Sequence, residues 1–240
     1  MTEIDLVLVD FDDTLVDTAP RFERARQRLF DRLAGLGFER PHVHHVHHHE
    51  VDPGMRRDHG LGPQRMPVAF AETYRALCRH RGEPPDPGVE AACARLGADV
   101  AGTPPVIEGA MDALRRLALA LPTVIYTQAG DADYQLGCLR DAGAIAAVGD
   151  DRVRVVPVKT ADALRETLDR FDVGAPDRAW MVGNSIRSDV NPALELGVRA
   201  LLVEVDEPWQ HDVVEPLHDA FPRVRTFRDA VAYLLDGRGG

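Results

Sequence analysis

Short apolar runs punctuate the chain, each too brief for a buried helix and rich in the aliphatic residues of a strand covered on both faces. The first is Ile4-Asp5-Leu6-Val7-Leu8-Val9, and others follow at 122–126, 152–156, 179–182 and 199–203. Between the later runs, apolar positions recur at helical spacing over 109–119, 131–142, 160–171 and 191–196. Strand alternating with helix predicts an α/β fold, a doubly wound, Rossmann-like parallel sheet, with ligands at the carboxyl ends of its strands.

The alternation lapses once. From 17 to 105 the pattern is helical: Asp17-Thr18-Ala19-Pro20 is a helix-start signal, and Phe22, Ala25, Leu29, Leu33 and Leu36 recur behind it. A second helix is expected from Pro67 through Phe70, Tyr74 and Leu77, and a third over 87–96, whereas 51–65 reads as loop. Gly102-Thr103-Pro104-Pro105 marks the return to strand and helix. The expected organisation is a core of 1–16 and 106–240 interrupted by a helical insertion over 17–105.

Composition narrows the function. The 240 residues carry 28 Lys+Arg against 39 Asp+Glu, a net charge of −11. That balance opposes bulk binding of nucleic acid or of an anionic membrane, though not of a small phosphorylated molecule beside a cation. No apolar stretch approaches the about 18 residues of a membrane span. Cys78, Cys93 and Cys138 are too few and scattered for a disulfide framework, and the opening Met1-Thr2-Glu3-Ile4-Asp5 is acidic where a signal peptide is basic. A cytoplasmic protein is expected.

The first strand ends in Asp10-Phe11-Asp12-Asp13-Thr14. Two carboxylates at a strand terminus repel unless a cation or proton neutralises them, and Mg²⁺, a hard ion that prefers oxygen, is the natural partner. Thr127 closes the second apolar run, Lys159 precedes the helix that begins near Thr160, and Gly183-Asn184-Ser185-Ile186-Arg187-Ser188-Asp189 follows the fourth run.

These four motifs, in this order, resemble those of the haloacid dehalogenase superfamily, whose phosphohydrolases carry a helical cap after the first strand. The resemblance spans the chain and places 17–105 as the cap. It implies a Mg²⁺-dependent phosphatase acting on a small phosphomonoester through an aspartyl phosphate. Asp10 would be the nucleophile and Asp12 the general acid and base. Phe11, Asp12, Thr127, Gln128 and Lys159 would bind the phosphoryl group, and Asp10, Asp12, Asn184 and Asp189 the metal. Asn184 stands where the family commonly has Asp; its amide oxygen still ligates but brings no charge, so weaker metal affinity is expected. Dehalogenation is disfavoured, since it resembles a single-Asp site without metal and Asp12 marks phosphoryl transfer. A cap-lysine phosphonatase is disfavoured too, because no lysine precedes Lys159. In such enzymes specificity resides in the cap, where Arg56, Arg57, Arg65 and Arg75 are the basic candidates for a second anionic group.

Beside these motifs, Asp13 is expected to face solvent from its loop, and Asp17 and Thr18 to cap a helix. Trp180 and Cys138 read as core, and Trp209 as a lid or packing residue. The cap also carries His42, His44, His45, His47, His48, His49 and His59. Helical spacing pairs His44 with His48 and His45 with His49, leaving Val43, Val46 and Val51 as a buried side beneath a polar histidine face. The rival reading of the whole chain is a binding protein that has kept the fold and lost turnover, taking a transition metal on that face.

Overall fold

The computed structural model describes residues 3–60, 62–206 and 214–237; Trp209 lies outside them. The chain divides into two compact units, 1–18 with 103–240 and 19–102.

The first unit opens with β1 (Leu6–Val9), and the second is helical throughout its described residues: α1 (Ala19–Gly35), α2 (Arg40–His45), a π-helical stretch over Val46–Val51, α3 (Asp52–His59), α4 (Arg65–Arg81) and α5 (Pro87–Ala98). Helix α3 falls where the sequence reads as loop. Its residues Asp52-Pro53-Gly54-Met55-Arg56-Arg57-Asp58-His59 offer little apolar periodicity, and it is held by charge instead: Arg56 and Arg65 both pair with the buried Asp52, at 3.4 and 3.3 Å. The core of this unit gathers Leu29, Phe30, Leu33, Val43, Val46, Phe70 and Leu77. Helices α4 and α5 pack so closely that a Cβ at Gly97 would lie 2.5 Å from the backbone of Met66.

The histidine face needs one correction. His44 and His48, and His45 and His49, do pair, with ring centroids 4.3 and 5.0 Å apart. His47, however, is core, only 1% exposed: it follows the buried Val43 by four residues and so shares its face, between Phe30 and Phe70. Its Nδ1 meets Thr73 Oγ1 at 2.9 Å, and that hydroxyl already donates to the Ala69 carbonyl. Nδ1 therefore carries the proton and donates.

The first unit continues through α6 (Ala110–Ala120), β2 (Thr123–Gln128), α7 (Ala132–Asp141), α8 (Ala144–Val148), β3 (Val153–Val156), α9 (Ala161–Arg170), β4 (Ala179–Gly183), α10 (Asn191–Leu196), β5 (Arg199–Val203), β6 (Arg223–Val224) and α11 (Phe227–Asp236). A second π-helical turn, Ile186–Val190, joins β4 to α10. All strand pairs are parallel, in the order β3-β2-β1-β4-β5-β6. Alternate residues serve opposite faces: Leu6 and Leu8 pack with Val124, Tyr126 and Met181, while Val7 and Val9 pack with Ile125, Trp180 and Val182. Trp180 and Cys138 are buried, as expected. The order reverses direction between β1 and β4, and the crevice outside that switch point is where such a sheet binds ligands.

Candidate functional site

Everything chemical converges on that crevice. Asp10 follows β1 directly, and its backbone N–H still donates to the Val182 carbonyl of β4, so the sheet itself aims the side chain. Beyond it the chain turns back on Phe11, whose carbonyl accepts from Leu15 N–H at 2.9 Å; Asp13 makes the turn possible by adopting φ 56°. Asp13 is thus more than a solvent-facing loop residue: its Oδ1 also accepts from Thr18 N–H at 2.8 Å.

Lys159 arrives from the segment between β3 and α9, where Thr160 caps the helix by accepting from Ala163 N–H. Its own backbone N–H donates to Gln128 Oε1 at 2.8 Å, so Gln128 pins the loop that presents the lysine. The ammonium lies 2.6 Å from Asp10 Oδ1 and 2.6 Å from Asp189 Oδ1, with the ring centroid of Tyr126 at 5.5 Å. Asp189 in turn accepts from Ser185 N–H through Oδ2, and Ser185 Oγ accepts from Ser188 N–H. Gly183 is required beneath it, since a Cβ there would stand 2.2 Å from Asp189 Oδ2.

The electrostatics follow from two buried carboxylates sharing one ammonium. Burial opposes the charge on Lys159, but Asp10 and Asp189 outweigh it and hold its pKa above the usual lysine range. Asp10 goes the other way: desolvation pushes its pKa well up and Asp189 adds to that, while Lys159 opposes. The site is short of positive charge.

Asn184 shows where more would fit. One of its two amide atoms sits 3.1 Å from the Asp12 carbonyl oxygen and 3.2 Å from Asp10 Oδ2. With nitrogen inward, the amide donates to both. With oxygen inward, it completes a set of three hard oxygens, one from a carboxylate, one from a carbonyl and one from an amide, suited to Mg²⁺. The Thr14 hydroxyl backs this amide at 3.4 Å, so Thr14 supports the loop. Asp189 reaches this set only through Lys159, its two oxygens being held by the ammonium and by Ser185 N–H.

Asp12 points to the opposite side of the crevice. Its Oδ1 accepts from the Thr18 hydroxyl at 2.6 Å, and its Oδ2 from Gln135 Nε2 at 2.7 Å. Thr18, which directly precedes α1, is therefore a partner of Asp12. Thr127, fully buried at the end of β2, accepts from the same Gln135 nitrogen at 3.0 Å. The site thus brings together Asp10, Phe11, Asp12, Thr127, Gln128, Lys159, Asn184 and Asp189, together with Thr18 and Gln135, which the motifs do not mark. For Lys159 a further signal lay in the composition, because it is the sole lysine among 240 residues.

The histidines of the helical unit form no metal centre. Among the described residues, no group of three or more His, Cys, Asp or Glu side chains is arranged to hold a metal ion. Of the four arginines expected to hold a second anionic group, Arg65 is buried against Asp52, Arg75 pairs with Glu72 and Glu90 at 2.9 and 2.5 Å, and Arg57 pairs with Asp58 at 3.0 Å.

A doubly wound sheet with buried acids and a lysine at its switch point places a candidate active site there, and comparison gives the chain a family. Residues 4–197 match the haloacid dehalogenase-like hydrolase family, and the chain belongs to it. Comparison with curated proteins finds no match. Among solved structures, a haloacid dehalogenase-like family hydrolase from Xanthomonas campestris is 22% identical, with a TM-score of 0.77 over 97% of this chain and 95% of its own. The HAD-hydrolase YfnB of Bacillus subtilis, bound to magnesium, is 17% identical with a TM-score of 0.63 over 98% and 100%. The L-2-haloacid dehalogenase of Xanthobacter autotrophicus, with chloropropionic acid covalently bound, is 15% identical with a TM-score of 0.56 over 96% and 98%. Likeness at these identities shows the shared fold.

Proposed function

We propose that the protein is a Mg²⁺-dependent phosphatase that hydrolyses a small phosphomonoester in the cytoplasm. The observation that carries this reading is the second carboxylate. Displacing halide from carbon needs no proton donor, whereas expelling an alcohol from a phosphate ester does, and Asp12 stands two residues from the nucleophile with both oxygens hydrogen-bonded. Phosphonate cleavage through a cap lysine has no residue to carry it, since Lys159 is the sole lysine.

In the first half-reaction an Asp10 carboxylate oxygen bonds to phosphorus as the phosphorus–ester oxygen bond breaks. The electron pair leaves on that oxygen, which takes the Asp12 proton and departs as the alcohol. Water then attacks the aspartyl phosphate, gives its proton to Asp12, and releases phosphate and Asp10. Thr127 and the backbone N–H groups at Phe11 and Asp12 hold the phosphoryl oxygens, and Lys159 fixes positive charge beside them. Asp10, the Asp12 carbonyl and Asn184 would hold Mg²⁺, which when bound offsets the repulsion between the Asp10 carboxylate and the incoming phosphoryl group. With one carboxylate in that set, metal affinity is expected to be modest. Three buried free cysteines suit a reducing compartment.

The test is product release from a panel of phosphomonoesters and from 2-chloropropionate, in Mg²⁺ or in EDTA. Phosphate release abolished by EDTA, with no chloride release, is the expected result; chloride release without phosphate would replace this reading by dehalogenation.

A further inference from the structure

Helix α7 begins at Asp131, whose carboxylate caps it by accepting from Tyr134 N–H at 3.0 Å. One turn in, this helix projects a side chain that takes no direct part in the phosphoryl transfer. Gln135 is polar, 5% exposed, and directed at the crevice rather than at solvent. Its single amide nitrogen has two protons and two partners: Asp12 Oδ2 at 2.7 Å and Thr127 Oγ1 at 3.0 Å. These partners come from the loop after β1 and from the end of β2.

We infer that Gln135 is a positioning residue that sets the aim of the proton-transferring carboxyl and the phosphoryl-binding hydroxyl together. The inference rests on the phosphatase reading and deepens it. Two features of hydrogen-bond chemistry carry the argument. Because the amide donates to Thr127 Oγ1, the threonine's own proton is not spent on Gln135 and stays available to a phosphoryl oxygen. Because Thr18 holds Asp12 Oδ1 at 2.6 Å from the other side, the Gln135 bond fixes the remaining rotation of the carboxyl, leaving it one orientation toward a leaving group. A glutamine suits this place where an acid would not, since a second carboxylate against Asp12 would repel it and would donate nothing to Thr127.

The role predicts a signature in the leaving group. Alcohols of high pKa must be protonated as they depart, whereas p-nitrophenolate leaves unaided. The experiment measures kcat/KM with Mg²⁺ for a graded series of esters, from p-nitrophenyl phosphate to alkyl phosphates, in wild type, Gln135→Met and Gln135→Glu. Gln135→Met keeps the length and removes both donors. It should lower kcat/KM about tenfold or more on alkyl esters and about threefold or less on p-nitrophenyl phosphate, steepening the dependence on leaving-group pKa. Comparing esters within one variant cancels any loss of folded protein, and Gln135→Glu supplies a second isostere should the methionine prove insoluble. An equal fall on every ester, or none, would overturn the inference while leaving the phosphatase standing. Absence of phosphate release by the wild type would overturn the phosphatase reading itself and this inference with it.

Discussion

Lys159 is the residue on which the site's charge balance turns. A lysine 2% exposed at its side chain, bridging two buried carboxylates, is expensive to bury and costly to lose. Arginine stands at every other Lys-or-Arg position, so this one selects a compact point charge over a planar fork. Lys159→Met leaves Asp10 and Asp189 facing one another and should destabilise the fold by about 3–5 kcal/mol, read as a lower urea midpoint. Lys159→Arg should fold better than Lys159→Met yet turn over poorly, because the larger head displaces Asp10. The residues of the four motifs were legible from sequence because each lies at or just beyond the carboxyl end of an apolar strand run, on the side of the sheet where ligands bind. Gln135 and Thr18 were not legible. Their roles depend on which way a helix turn and a loop face once packed, and glutamine in an amphipathic helix or threonine before Ala-Pro has an ordinary local explanation.

At the scale of elements, the close approach of β4 to the π-helical turn behind it decides whether Lys159 has its second partner. Gly183→Ala would thrust a methyl into the Asp189 carboxylate, so the turn must shift and Asp189 must leave the ammonium. The expected result is a loss of about 1–3 kcal/mol in stability with a larger fall in turnover, checked by parallel denaturation and kinetic assays. The parallel sheet was legible because Val7 through Val9 and their counterparts are apolar on both faces. Helix α3 and the burial of His47 were not: α3 is held by the ion pairs of Asp52 rather than by apolar periodicity, and a histidine within a run of histidines reads as polar even where its spacing from Val43 puts it on the buried face. The two-residue β6 and the short α8 fell below the length at which periodicity speaks.

Across the whole molecule, the response of stability to acid should be set in the helical unit. His47 is buried in the helical unit, and burial, with His48, Arg26, Arg65 and His44 adding to it, holds its pKa well below the usual histidine value. His48 is likewise lowered to about 4, first by desolvation and then by His44 and Arg26. The unfolded chain takes up these protons near pH 6.5 and the folded chain does not. The resulting stability is full above that pH and declines as pH falls below it. Thermal melts followed by circular dichroism should therefore show a lower Tm at pH 5 than at pH 7.5. His47→Gln, which keeps a donor for Thr73, should flatten that difference; an unchanged pH dependence would mean that other groups govern it.

The central claim is that Asp10 carries the phosphoryl group between ester and water. The most direct measurement follows radiolabelled phosphate from a substrate ester into acid-quenched protein, then maps the label by borohydride reduction of the acyl phosphate and digestion. Label on Asp10, absent from Asp10→Asn, is the predicted result; that variant should remain folded, since asparagine is nearly isosteric with aspartate and Lys159 keeps Asp189 as its partner, and lose about a thousandfold or more in kcat. Steady phosphate release with no label on the protein, or label persisting in Asp10→Asn, would contradict the account.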